Sequence, residues 1–101
     1  MEILDSKVLV WLQSAQYVKA MSGVYVLYDK NLDVIYVGGS ENLQKTFESY
    51  VNTDFEGNIC KQKTHTYQRI FVENPIERKT EILEDYKKEH GKMPCCNDET
   101  G

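Results

Sequence analysis

The chain has 101 residues, 41% of them hydrophobic and 28% charged, which predicts one globular domain around one core and excludes a disordered tract. The formal net charge of −4 argues against tight non-specific nucleic-acid binding, which draws its affinity from Lys and Arg facing phosphates. No apolar run approaches the roughly 18 residues of a membrane span, and the opening Met1-Glu2-Ile3-Leu4-Asp5 has no basic segment or small-residue cleavage site of a secretory signal. The expectation is a cytoplasmic protein with no membrane partner.

In chain order, the first stretch carries Leu4, Val8, Trp11, Leu12 and Ala15 at helical spacing, which predicts a helix from about residue 5 to 19 with Asp5 or Ser6 as its N-cap. Met21-Ser22-Gly23 breaks it. Val24-Tyr25-Val26-Leu27-Tyr28 and Val34-Ile35-Tyr36-Val37 are β-branched and aromatic runs around a polar turn, and they read as an antiparallel hairpin. A turn centred on Lys30-Asn31 sets Tyr25 directly across from Tyr36, on one face of the sheet. Ser40-Glu41-Asn42 opens a second helix with the stripe Leu43, Phe47 and Tyr50. A polar loop follows from Asn52 to Thr64, then a third strand over Thr66–Val72. Pro75 starts the longest helix, whose core side is read as Ile76, Ile82, Leu83 and Tyr86, with Gly91 and Pro94 ending it. The fold expected is α+β: a small three-stranded antiparallel sheet flanked by helices. Residues 1–101 form one domain, with 1–21 as a helical addition to a core spanning 23–97.

Cys60, Cys95 and Cys96 make an odd count, which points to reduced thiols rather than a disulfide framework. A zinc site from Cys60, His65, Cys95 and Cys96 lacks any CxxC pair, so no metal is expected there. The segment Lys61-Gln62-Lys63-Thr64-His65 reads as a solvated loop before a phosphate-binding one. The alternating charges from Glu81 to Glu89 read as a solvated helix face, with His90 favourably placed at the helix C-terminus.

Gly23-Val24-Tyr25 and Tyr36-Val37-Gly38, separated by a hairpin and followed by Ser40-Glu41-Asn42-Leu43, resemble the two tripeptides that name the GIY-YIG nuclease superfamily. Pro94-Cys95-Cys96-Asn97 resembles the asparagine that closes the motif set. The resemblance implies a GIY-YIG-like fold and the site residues Tyr25, Tyr36, Gly38 and Asn97. In the family the tyrosines position or activate a water, an arginine on the first motif helix steadies the phosphate, and a glutamate on the long helix holds one divalent metal.

The charged positions depart from that pattern. Thr46 stands where the motif arginine is expected, with Lys45 one position away and about 100° around the helix. Lys79 stands at the metal carboxylate, in Ile76-Glu77-Arg78-Lys79, and Thr46 and Lys79 are expected to point toward the same cleft as the tyrosines. The resemblance therefore implies a degenerate site in an inactive binding or scaffolding module, with no cofactor. Its partner is expected to be weakly bound DNA or a protein. The alternative is an active Mg²⁺-dependent DNA endonuclease whose arginine and glutamate have moved.

Overall fold

A computed structural model of the chain describes Leu4 and residues 6–97. Its centre is a fully antiparallel sheet of β1 (Leu9–Val10), β2 (Gly23–Tyr28), β3 (Val34–Ser40) and β4 (Thr66–Phe71), in the order β1-β4-β2-β3. All six residues of β2 are buried, because β3 and β4 pair with it on either side and both sheet faces are covered. Strand alternation divides the core in two. Tyr25 and Leu27 pack on one face with Trp11, Phe47, Tyr50, Phe55 and Tyr67, while Val24, Val26 and Tyr28 pack on the other with Val37, Ile82 and Leu83.

The first face is covered by α2 (Leu43–Thr53) and by the N-terminal segment; the second is covered by α3 (Pro75–His90). Helix α2 begins at Asn42, whose Oδ1 accepts the Lys45 backbone N–H at 3.1 Å. Its Leu43, Phe47 and Tyr50 are buried, as their spacing predicts. Helix α3 starts on Pro75 and is closed by Gly91.

Several expectations about the elements need correction. The sheet has four strands rather than three, because Leu9 and Val10 pair with Tyr67 and Thr66. That pairing consumes the start of the predicted N-terminal helix, which shrinks to α1 (Trp11–Ser14) and a 3₁₀ turn over Ala15–Tyr17. Trp11 and Ala15 are buried, but Leu12 is 89% exposed. The candidate cap Asp5 lies outside the described residues. Tyr25 pairs with Gly38 rather than Tyr36, which faces Leu27. The turn runs through Asp29, whose Oδ1 accepts from Asn31 and Asp33, and an irregularity at Leu27/Tyr28 absorbs the difference. Ile76 is exposed rather than core-facing.

The cysteines also differ from expectation. Cys60 and Cys96 form a disulfide, and Cys95 is left as an exposed thiol. The loop between α2 and β4 folds back to meet the C-terminal segment, a closeness that chain separation does not reveal.

Candidate functional site

The hairpin brings Tyr25 and Tyr36 to one face, two residues out of direct register, with ring centroids 6.0 Å apart. Gly38 makes this possible. A β-carbon there would stand 2.4 Å from Cζ and Oη of Tyr25, so the Tyr25 ring lies across a strand position that must be bare. The Tyr25 hydroxyl shares a 2.6 Å hydrogen bond with that of Tyr50, from the buried stripe of α2. Lys61 donates from Nζ to the Tyr50 hydroxyl at 3.2 Å and sits 4.0 Å above the Tyr36 ring, a cation–π geometry.

The three tyrosines are therefore one cluster closed by an ammonium. Burial raises the Tyr25 hydroxyl well above its ordinary pKa, and the neighbouring Tyr50 and Tyr36 push it further. Burial also raises Tyr36 and takes Tyr50 up to about 12, the latter partly opposed by its bond to Tyr25. Glu56 adds a smaller upward push to both Tyr36 and Tyr50.

Glu56 and Lys61 arrive through an unusual turn. Asp54, Phe55, Glu56 and Gly57 all have positive φ, a region that costs an ordinary residue about 1–2 kcal/mol. The turn is held by Phe55, buried with its ring 5.0 Å from Trp11. It leaves Glu56 on the rim of a shallow cleft lined also by Lys45, Thr46, Ser49 and Tyr50. Sequence periodicity puts Tyr50 only in a core stripe and Lys61 in a solvated loop, and nothing in it singles out Glu56. No local pattern could have found Glu56 or Lys61, because the loop returns to the tyrosines through a left-handed turn over 54–57 and a separate 3₁₀ turn at Lys61–Lys63.

Thr46, at the expected arginine position, lies on the same face, and its hydroxyl shares a 2.7 Å hydrogen bond with Ser40. Lys79 does not join it, against the expectation of a shared cleft. A β-carbon on Gly39 would meet the Pro75 carbonyl oxygen at 2.8 Å and the Lys79 Cβ at 3.5 Å. Gly39 points opposite to Gly38, so the Lys79 Cβ packs on the α3 face of β3, opposite the tyrosine rings. Asn97 clasps the outer edge of β3, accepting the Val37 N–H at 2.7 Å and donating to its carbonyl at 2.9 Å. Both ends of its amide are thus engaged with backbone one residue from Tyr36. Of the weighed zinc ligands, Cys60, Cys95 and Cys96 converge, and His65 is not among them.

This chain has the GIY-YIG fold: a hairpin with two tyrosines on one face, a bare glycine beneath one of them, a helix on each face of the sheet and an asparagine clasp. No family model matches the chain. The GIY-YIG N-terminal endonuclease domain of UvrC from Thermotoga maritima, bound to its catalytic divalent cation magnesium, superposes with a TM-score of 0.64 at 18% identity. That match covers 76% of this chain and 90% of that domain. A point mutant of the same domain, also bound to its catalytic divalent cation, matches at the same score and identity over 76% and 89%.

Two curated relatives are similar in sequence. The UvrABC system protein C of Rickettsia prowazekii (strain Madrid E) is 30% identical over 86 residues, 83% of this chain. That of Rickettsia bellii (strain RML369-C) is 40% identical over 45 residues, 45% of this chain. The matched stretches span 13% and 7% of those relatives' lengths. Among the described residues no helix is long and apolar enough to cross a membrane.

Proposed function

We propose that this chain is a GIY-YIG-fold binding module that does not cleave phosphodiesters. The observation that carries the reading is the state of Tyr25. It is 2% exposed, its hydroxyl is already shared with Tyr50, and its pKa is raised. Such a phenol stays protonated at neutral pH and cannot take a proton from water.

The charges support the same reading. Phosphoryl transfer needs fixed positive charge and, in this family, a metal carboxylate. Thr46 is neutral and bonded to Ser40, and Lys79 is a cation on the far face of β3. The residues do not fit the divalent cation of the solved UvrC domains. Glu56 acts electrostatically on Tyr36 and Tyr50 but not on Tyr25, and the one convergent group of three or more potential ligands among the described residues is made of cysteines. Removing one preorganised electrostatic group typically costs about 100- to 1,000-fold in rate.

The likeness to UvrC domains makes DNA the ligand class to test first. The contact would be weak, in keeping with a net charge of −4, and centred on Lys61 and Lys45 at the tyrosine cleft. Fluorescence anisotropy with single- and double-stranded DNA at low salt tests this. Binding that weakens in Lys61→Gln and falls steeply with salt is expected. Binding to neither DNA would leave a protein as the partner of the module.

One observation favours the second reading, an active nuclease with relocated charges: Lys61 and Glu56 both reach the tyrosine cluster. Under that reading Mg²⁺-dependent cleavage is abolished by Glu56→Gln as well as by Tyr36→Phe.

A further inference from the structure

The sulfurs of Cys60, Cys95 and Cys96 all lie within 4.8 Å of one another, although Cys60 comes from the loop after α2 and the others from the C-terminal segment. Cys96 is buried, Cys60 is half-buried and Cys95 is exposed. The backbone holds both sides independently of the disulfide. Lys61 N–H donates to Asn58 Oδ1 and Lys61 Nζ to Tyr50, while Cys96 N–H donates to the Ile35 carbonyl at 2.7 Å and Asn97 clasps Val37. The cysteines therefore stay close when the disulfide opens.

We infer that the reduced protein binds one soft metal ion, Zn²⁺ or Cu⁺, through the thiolates of Cys60, Cys95 and Cys96. Metal–sulfur bonds of about 2.3 Å set neighbouring sulfurs roughly 3.8 Å apart in a tetrahedral site, and slightly farther apart in a trigonal one. Cys60 and Cys95 already stand 3.8 Å apart. Cys96 needs only to swing off Cys60, within a cluster whose largest spacing is 4.8 Å. Three thiolates satisfy trigonal Cu⁺ outright and leave Zn²⁺ one position for solvent, which the exposed Cys95 side can supply.

The chemistry balances in two steps. A dithiol reductant delivers two electrons and two protons to the Cys60–Cys96 bond and is itself oxidised to a disulfide. The three thiols then bind the ion and release three protons to solvent. The site differs from the hard-oxygen magnesium chemistry of the solved UvrC domains. Its outcome is independent of whether the tyrosine cleft binds DNA.

The test is equilibrium dialysis of the full chain, reduced with a dithiol that is then removed under anaerobic conditions. Separate arms use Zn²⁺ alone and Cu⁺ alone, and each is followed by metal analysis. One ion per chain is expected in at least one arm, and the arm that fills identifies the metal. The disulfide form should bind at least 10-fold more weakly. Cys95→Ser, which leaves the disulfide pair intact and changes an exposed side chain, should also weaken binding by the reduced protein at least 10-fold. No bound ion in either arm, or equal binding by Cys95→Ser and the unmodified chain, would overturn the inference.

Discussion

Replacing Gly38 with alanine inserts a methyl group 2.4 Å from Cζ and Oη of Tyr25. Carbon atoms rest at about 3.5–4.0 Å, so the ring must retreat by roughly 1 Å. It has nowhere easy to go. Phe47 lies edge-on at 5.4 Å, Tyr50 at 6.1 Å and Tyr36 at 6.0 Å, and the side chain is buried. Overpacking of this kind costs about 1–3 kcal/mol. Displacement also breaks the hydroxyl bond to Tyr50, worth about 0.5–1.5 kcal/mol net. The loss of glycine's unfolded-state freedom returns about 0.4–1 kcal/mol. The expected destabilisation is about 2–3 kcal/mol, a fall in Tm of roughly 10–20 °C for a domain of this size. Urea unfolding of Gly38→Ala, Tyr25→Ala and the pair isolates the contact as a double-mutant cycle. With Tyr25 truncated, Gly38→Ala should be nearly neutral. A cost below about 0.5 kcal/mol in the parent, or one undiminished beside Tyr25→Ala, would refute the reasoning.

Alkali should unfold the protein through the same cluster. Tyr50 holds its proton more tightly in the folded state, with a pKa raised from its ordinary value of 10.0 to about 12. The stability it contributes is therefore complete below pH 10 and is lost as the pH rises toward 12. Chemical denaturation across that window should show the decline, and Tyr50→Phe should reduce it while leaving the part due to Tyr25 and Tyr36. Asn97→Ala removes both side-chain bonds to the Val37 backbone. It should cost about 1–2 kcal/mol and speed hydrogen exchange at the Val37 amide by at least 10-fold, whereas exchange in the central strand β2 changes less. Lys79→Glu should add no Mg²⁺ affinity detectable by calorimetry beyond that of the parent, because Lys79 packs against Gly39 on the α3 face of β3.

Local chemistry wrote much of this fold legibly. The runs around Tyr25 and Tyr36, the stripe of Leu43, Phe47 and Tyr50, and the Pro75-to-Gly91 helix each follow from propensity, periodicity or capping within a few residues. The two tripeptides carried the fold, and their glycine proves to be the floor under Tyr25. What stayed hidden was set by contacts between distant segments. Leu9 and Val10 lie inside the helix predicted from Leu4, Val8, Trp11, Leu12 and Ala15, yet they pair with Tyr67 and Thr66 as a strand. Lys61 and Glu56 reach the tyrosines through a loop that turns left-handed over four consecutive residues. The same returning loop joins Cys60 to Cys96, against a cysteine count that argued for free thiols. Motif register puts Lys79 toward the tyrosine cleft. The alternation of Gly38 and Gly39 sends it to the other face.

Incubation of the purified chain with supercoiled plasmid DNA in Mg²⁺ or Mn²⁺ tests the central claim most directly, with Tyr36→Phe and Glu56→Gln run alongside. The binding-module reading predicts no nicking above the metal-and-buffer control for any of the three proteins. Metal-dependent nicking by the unmodified chain, lost in Tyr36→Phe, would contradict it, and loss in Glu56→Gln as well would identify the relocated carboxylate.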